Sequence, residues 1–545
     1  MELFYCFYVK EKRKRGIFRK TNTQHYLHSE SIGDFAMDLK DWSWIGDWTG
    51  RRALLTPKKE AIFDNIQKKR YTFEEIDRRA NQVSRFFLDS GVQKGDRIGV
   101  YSKNRFDFLD ILFACGKIGA ILTPFNTRLT APELEYLIEK TDPAMFLYDP
   151  NLDSQFEDLR PFLEKKHVIV MGEKTIDADS NMHSLMTKKS ASAIERPPLT
   201  LDDSYLIVFT GGTTGLPKGA ILSHGLVFWN SVNTIVSWGL RPDDIQPLLF
   251  PLFHTGGINV LLIPFFHLGA KSIIMGDFGA DETLRVIEDE KCSIVIAVPT
   301  MFNMISESPK FSKTKFDSVR VFISGGAPCP VAIMEKYWER GKILKMGYGL
   351  TEVGPNNFFL PESEVKRKPS SVGFPVFHCD MRVIDDNGND VPTGNVGELI
   401  LRGPHIFSGY WDEPEETAKT IEPDGWVHTG DLAVIDDEGF YFITGRKKDM
   451  FISGGENVYP TEIEELLYKH PSILEAAVVG VPHEKWGEVG KAVIVLKPGM
   501  SLTEEQILEY LDGKLARYKI PKHYEFRDEL PKSAAGKILK RELSE

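Results

Sequence analysis

The feature that most narrows what this chain can fold into is an alternation. Short apolar runs rich in β-branched residues, each closed by turn formers, are separated by longer stretches of helical periodicity. RIGVYS (97–102), AILTPF (120–125), AMFLYD (144–149), HVIVMG (167–172), KSIIMG (271–276), CSIVIAVPT (292–300) and VRVFISGG (319–326) read as strands buried on both faces, the mark of parallel sheets covered by helices. Between such runs lies TFEEIDRRANQVSRFFLDSG (72–91). There Thr72 and Glu75 form a capping box, Phe73, Ile76, Ala80, Val83 and Phe87 make one apolar face, and Gly91 ends the helix.

The texture changes after about residue 380. RVIDDNGNDVPTGNVGELILRG (382–403) and LAVIDDEGFYFITGR (432–446) have the glycine and paired-acid turns of hairpins. Beyond Arg446 a compact α+β pattern follows, with Thr461 and Glu464 as a second capping box and EAAVVGV (475–481) as a strand. At 545 residues the chain exceeds a single hydrophobic core. The expected class is α/β: a large N-terminal domain of mixed and parallel sheets with helices plus a β-rich part (37–446), then a small α+β C-terminal domain (447–545).

Composition bounds the partners. A formal net charge of −11 argues against a broadly basic nucleic-acid surface, because phosphate neutralisation dominates such binding. Cys6, Cys115, Cys292, Cys329 and Cys379 have neither zinc-like spacing nor a paired framework, so a reducing cytoplasm is the expected compartment. INVLLIPFF (258–266) is far short of the roughly 20 apolar residues of a membrane span and reads as core. LFYCFYV precedes KEKRKRGIFRK, the reverse of a secretory signal. Residues 1–36 are expected to be a disordered extension, with a surface-seeking basic tail as the alternative, and globular sequence to begin at Met37. The polar segment 172–203 reads as a surface connector without chemistry.

The strand YLIVFT (205–210) delivers FTGGTTGLPKG (209–219). Gly211, Gly212, Gly215 and Gly219 allow close backbone approach, Thr210, Thr213 and Thr214 offer hydroxyls, and Lys218 is a fixed cation, which together suit a polyphosphate. The loop is not of the Walker type, since Pro217 rather than glycine precedes Lys218. In MGYGLTE (346–352), Tyr348 suits stacking on a purine, Glu352 a phosphate-bridging metal, and Thr351 a donor near a phosphate. Alone, that heptapeptide is equally any turn before a helix, and Asp431 in HTGD (428–431) is more simply a turn residue.

Thr210 to Gly219 resembles the signature loop of the adenylate-forming superfamily, which includes acyl-CoA synthetases, luciferases and peptide-synthetase adenylation domains. MGYGLTE, GELILRGPHIFSGYW (397–411), HTGD, GRKKDMFISGGENVYPTEIE (445–464) and PKSAAGKILKREL (531–543) follow in that superfamily's order, so the resemblance covers essentially everything after Met37. It implies ATP, Mg2+ and coenzyme A as cofactors and two steps, adenylation of a carboxylic acid and transfer of the acyl group to coenzyme A. By the same resemblance Gly325, Gly326 and Ala327 of SGGAP, with Gly347, Tyr348 and Gly349, hold the adenine end of the nucleotide; Asp431 and Arg446 grip the ribose and phosphate; Glu352 and Thr210 attend Mg2+; and Lys537 reaches the carboxylate and α-phosphate. Thr210, Lys218, Glu352 and Lys537 are the catalytic candidates. The resemblance further implies a hinge at Lys448 that makes the C-terminal domain a mobile lid, exchanging Lys537 for a pantetheine-lining hairpin with Ser453, Gly454, Gly455 and Glu456. Trp486 either joins that hairpin or is a buried structural tryptophan.

The acyl pocket is expected to draw on Trp229, Phe253 and His254, where His254 is either a core or turn histidine or a wall of the pocket. GPNNFF (354–359) and 35 phenylalanines are compatible with an apolar tail, so a medium- or long-chain fatty acid comes first and an aryl acid second. An adenylating enzyme with another acceptor and a non-catalytic nucleotide-binding relative are the competing readings, and a homodimer is an open alternative to a monomer.

Overall fold

The apolar runs pair side by side, as their composition requires. The structure, a computed structural model, describes residues 42–164, 166–174, 180–210, 217–533 and 536–544. The extension 1–36, the expected start at Met37 and the loop residues Gly211, Gly212, Thr213, Thr214 and Gly215 lie outside the described residues. Ser180–Asn181, His167–Val170, Met145–Tyr148, Arg97–Tyr101, Ile121–Phe125, Ser204–Thr210 and Lys218–Ser223 form a seven-stranded sheet in that order. All neighbours are parallel except the last pair, which is antiparallel with Thr210 opposite Lys218. The phosphate loop therefore joins two hydrogen-bonded strands, which fixes both of its ends.

Helix Phe73–Asp89 has the expected Thr72/Glu75 capping box, and Phe73, Ile76, Ala80, Val83 and Phe87 are fully buried. Each large apolar side chain on that face contributes on the order of 1.5–3 kcal/mol of transfer free energy. It packs on Phe106–Ile118, a helix buried along its whole length. The 172–203 connector does more than cover surface: it adds the edge strand Ser180–Asn181 and the helix Met182–Met186, whose two methionines enter the main core. The run 258–266 is buried core as expected, folded as a π-helical turn, Gly256–Val260, followed by the helix Leu262–Leu268.

A four-stranded sheet runs Ile245–Leu248, Lys271–Ile274, Glu60–Asp64, Lys69–Thr72, and a parallel three-stranded sheet runs Ile294–Ala297, Val321–Ser324, Leu344–Met346. Ligands of open α/β sheets bind beyond the carboxyl ends of parallel strands. SGGAP and MGYGLTE leave two such ends side by side, tied by the Gly347 amide donating to the Ser324 carbonyl at 2.7 Å.

The expected hairpins belong to a six-stranded antiparallel sheet, Phe358–Phe359, Ser371–Pro375, Tyr441–Arg446, Val427–Ile435, Gly397–Arg402, Asp380–Ile384. Its register sets Asp431 opposite Arg446. Glu456–Val458, Phe451–Ser453, Gly487–Leu496 and Ile473–His483 form the last sheet, with His523–Phe526 parallel to the long Gly487–Leu496 strand. Two core clusters beneath it draw only on residues from 451 onward. One local expectation fails there. Helix Pro460–Tyr468 starts two residues early, capped at Tyr459, because Pro460 is preorganised for the first helical position. Thr461 thus lies inside the helix, and Glu464 instead accepts from the Val478 amide and pairs with Lys540. The described residues belong to one compact unit, and none of their helices is long and apolar enough to cross a membrane.

Candidate active site

Thr210, at the last position of its strand, donates its hydroxyl to Glu352 Oε1 at 3.3 Å, and Tyr410 donates to the same oxygen at 3.0 Å. The Glu352 main chain is held by the Phe407 amide at 2.8 Å. Glu352 Oε2 accepts no hydrogen bond among the described residues, which leaves one hard carboxylate oxygen without a partner there. A lone carboxylate oxygen beside a hydroxyl fits Mg2+ that arrives with phosphate ligands of its own. Among the described residues, the acidic group close enough to chelate an ion unaided is Asp436, Asp437 and Glu438. Asp436 and Glu438 are already paired with Lys368.

Asp431 is 3% exposed. The Tyr348 hydroxyl donates to its Oδ2 at 2.6 Å, and Arg446 Nε lies 3.1 Å from Oδ1. Burial pushes the Asp431 carboxyl up, against the opposing pull of Arg446 and the Tyr348 hydroxyl. Burial and the neighbouring Asp431 push the Tyr348 phenol well above its ordinary range, so it stays a donor. The Tyr348 ring meets Phe358 edge-on at 5.5 Å. An acceptor fixed between a phenol and a guanidinium is suited to a vicinal diol.

Lys537 reaches this group from the far end of the chain. A Cβ built on Gly326 would sit 3.0 Å from Lys537 Cε and crowd the lysine stem, and Gly326 has φ +83°, which favours glycine. Burial and the charge of Arg446 lower the Lys537 pKa, while Asp431 and Glu352 oppose that shift. His254, whose Nδ1 accepts from the Gly256 amide at 3.0 Å, is pushed down to about 3 by burial and the nearby Lys537 charge. It is a neutral wall at physiological pH. Gly325 leaves open space where a Cβ would stand, and Gly347 packs on Ile323. Gly349 has a structural reason: a Cβ there would lie 2.1 Å from the Pro355 carbonyl oxygen. Thr351 is buried beside them, and Ala327 is partly exposed.

Lys218 is 8% exposed; its ammonium pairs with Glu416 and lies 5.2 Å from the centre of the Tyr410 ring. The cation of the loop is thus held by a carboxylate, and Lys218 and Lys419 together lower Glu416 to about 2. Glu416 and Tyr410 were missed in the sequence. Their signal was the acidic first turn of helix Pro414–Thr420 and the tyrosine of SGYW, neither pointing to Lys218 by spacing.

The small sheet brings Ser453, Gly454, Gly455, Glu456 and Trp486 together. Gly454 (φ +62°) and Gly455 (φ +90°) make the hairpin turn, and the Gly454 amide donates to the Trp486 carbonyl at 2.9 Å. Trp486 is 43% exposed, which removes the alternative of a buried structural tryptophan. Lys448 is exposed within the turn in which the Asp449 and Met450 amides bond back to the Arg446 carbonyl. Phe253 is partly exposed next to His254. The Trp229 ring packs on Phe228 at 5.5 Å and His378 at 5.2 Å.

Two parallel-strand ends, a buried carboxylate held by a phenol and a guanidinium, and a lysine from the small domain thus meet in one place. The chain belongs to the AMP-binding enzyme family: residues 50–411 match that family and residues 462–537 match the AMP-binding enzyme C-terminal domain. Feruloyl-CoA synthase of Amycolatopsis sp is 36% identical over 92% of this chain and 98% of its own. Indoleacetate–CoA ligase of Aromatoleum aromaticum is 34% identical over 91% and 96%. The crystal structure of the anthranilate CoA ligase AuaEII with anthranoyl-AMP is 28% identical, with a TM-score of 0.85 over 91% of this chain and 96% of that one. The Mycobacterium tuberculosis fatty acyl CoA synthetase is 30% identical, with a TM-score of 0.71 over 93% and 98%.

Proposed function

We propose that the chain is an AMP-forming acid–thiol ligase. ATP adenylates a carboxylic acid with loss of pyrophosphate, and coenzyme A then takes the acyl group. The observation that carries this reading is the convergence of Lys537 with Glu352, Asp431, Arg446 and His254 at the ends of the parallel strands. A carboxylate and an α-phosphate repel each other, and a preorganised ammonium in a poorly hydrated cleft offsets that repulsion most where charge builds in the transition state. Lys537 Nζ would donate to both partners. Asp431 would accept from the ribose hydroxyls, Arg446 and Tyr348 would hold it in place, and neutral His254 would bound the acyl group without adding charge. Mg2+, held by Glu352 beside Thr210, would neutralise phosphate charge. The paired Lys218 would steady the second end of the phosphate loop through Glu416.

For the thiol step, the two-glycine turn at 454–455 beside exposed Trp486 offers a narrow, apolar-sided strip for a pantetheine arm. A pivot at Lys448 would carry this turn to the site once Lys537 withdraws. The reading of the small domain, 447–545, as a mobile lid rests on that exchange.

An aryl acid now stands ahead of a fatty acid, reversing the order that the phenylalanine content suggested. Three of the four relatives described above are named for aromatic acids. Three buried amides that gather on the π-helical turn following His254 support the same order. Asn230 Nδ2 donates to the Asn259 carbonyl and Asn356 Nδ2 to the Val260 carbonyl, while the Oδ1 atoms of Asn230, Asn259 and Asn356 are buried without a partner among the described residues. Unsatisfied acceptors cost about 1–3 kcal/mol each and suit a ring bearing a hydroxyl or N–H better than an alkyl tail. Acid-dependent ATP–pyrophosphate exchange across hydroxycinnamates, indole acids and C8–C16 fatty acids tests the proposal. Exchange with the aryl acids is expected; exchange confined to fatty acids would overturn the substrate class, and none with any acid would overturn the activity.

A further inference from the structure

Two side chains of the large body hold the main chain around Lys537, and neither belongs to the groups that face the nucleotide. Arg128 Nη1 donates to the Ser533 carbonyl at 3.1 Å across 405 residues of sequence, and Thr300 Oγ1 donates to the Gly536 carbonyl at 3.3 Å. Both donors stand on rigid mounts. Arg128 lies in a tight turn after strand Ile121–Phe125, where its own amide bonds to Asn126 Oδ1 at 3.0 Å and Thr130 caps the next helix through a Thr130/Glu133 capping box. Thr300 is in the first turn of helix Pro299–Glu307, directly after a parallel strand. Arg128 is exposed and pairs with no carboxylate among the described residues, so its hydrogen bond to a carbonyl is not a by-product of an ion pair.

Ser533, Gly536 and Lys537 are locked to one another. The Ser533 amide donates to the Lys537 carbonyl at 2.7 Å, the Gly536 amide to the Ser533 carbonyl at 2.8 Å, and the Lys537 amide to Ser533 Oγ at 3.1 Å. A donor that grips the Ser533 or Gly536 carbonyl therefore fixes the backbone from which Lys537 extends. Gly536 has φ +80°, and a Cβ on it would lie 3.0 Å from Val298 Cγ2 and 3.4 Å from Thr300 Oγ1. The chain lies flush on the Val298–Thr300 shelf, as close as backbone can come.

We propose that Arg128 and Thr300 are positioning residues that latch the Lys537 segment in the adenylating arrangement, and that their release accompanies the thiol step. This rests on the reading of Lys537 given above. Because both donors grasp main-chain carbonyls, the latch sets where Lys537 stands without touching acid, nucleotide or coenzyme A. It acts on the first half-reaction alone.

The test combines Arg128→Met and Thr300→Val with single-turnover kinetics of each half-reaction. Each variant is expected to slow adenylation about fivefold, the worth of one hydrogen bond of about 1 kcal/mol, and the pair about 25-fold if the two act independently. The KM for ATP should hold within twofold, thioester formation from supplied acyl-adenylate should be unchanged or faster, and Arg128→Lys should recover most of the loss. Equal slowing of both halves, or a rise in the KM for ATP alone, would overturn the latch. Hydrogen exchange on the resting enzyme reads the same contact without any substrate. Faster exchange at 536–539 in the double variant, with 97–101 unchanged, is expected, and unaltered exchange there refutes the latch even if no acid is ever activated. Absence of adenylate from the wild-type enzyme with every acid, alongside the expected exchange change, would instead refute the reading of Lys537.

Discussion

Replacing Lys537 with Met removes one charge and keeps a stem of similar length to run past Gly326, where a Cβ would already lie 3.0 Å from Lys537 Cε. The packing is thus retained and the electrostatics isolated. Around that charge stand Asp431 and Glu352, which favour it, and Arg446, which opposes it. The substrates add a carboxylate and a triphosphate, so the cation is the group that keeps the approaching anions from facing one another unscreened. A unit charge about 4 Å from an opposite charge is worth about 4 kcal/mol at an effective dielectric of about 20, which corresponds to about a thousandfold in rate. Removal of single preorganised donors in other enzymes has similar cost, about 2.7–4 kcal/mol. Lys537→Met is therefore expected to slow acid-dependent pyrophosphate release by about two to three orders of magnitude. Thioester formation from supplied acyl-adenylate should fall by no more than about threefold, because the small domain presents its other face for that step. Rapid-quench measurement of the two half-reactions decides the matter. Comparable losses in both, or a loss confined to the thiol step, would refute the assignment of Lys537 to adenylation.

Further outcomes follow from the same geometry. Burial and Arg446 lower the Lys537 pKa, and its charged form is the working one, so adenylation should fall as pH rises through that lowered value. The fall should begin below the ordinary lysine range and vanish in Lys537→Met; a pH–rate profile flat to the ordinary lysine value would contradict it. Gly454→Ala places a Cβ 2.9 Å from Trp486 Cε3 at φ +62°, a backbone region costing an L-residue about 1–2 kcal/mol. The KM for coenzyme A should rise severalfold with pyrophosphate exchange preserved, and an unchanged KM would argue against that turn as the pantetheine strip. Phe87→Ala opens a void on the fully buried face of helix Phe73–Asp89 and should cost about 3–5 kcal/mol, seen as a lower urea midpoint; a loss under 1 kcal/mol would mean that the core closes over the gap.

Local rules carried the reading where the determinants were local. The capping box at Thr72 and Glu75 and the buried strand runs depend on neighbours within a few residues, and all of them formed. The similar pair Thr461 and Glu464 did not, because Pro460 claims the first helical position and moves the start by two residues. Long-range partners were the harder part. Lys218 was legible as the cation of its loop, but its partner Glu416 was not, being 198 residues away. Nothing in the composition of 531–543 distinguished Lys537 from other lysines; its position was legible through the resemblance alone. Arg128 and Thr300 bind carbonyls that every residue possesses, so no side-chain pattern could have announced them. The pocket expected of Trp229, Phe253 and His254 draws on separate segments that no local pattern assembles; the Trp229 ring meets Phe228 and His378. Asn230, one residue on from Trp229 and wholly buried, holds the inward place on their helix.

The account stands on an acyl-adenylate formed before any thiol is present. Enzyme incubated with MgATP and a hydroxycinnamate, without coenzyme A, and then resolved by mass spectrometry should yield one equivalent of the acyl-AMP mixed anhydride and pyrophosphate, and added coenzyme A should chase that species into the thioester. ADP and phosphate in place of AMP and pyrophosphate, or an adenylate that coenzyme A leaves untouched, would contradict it.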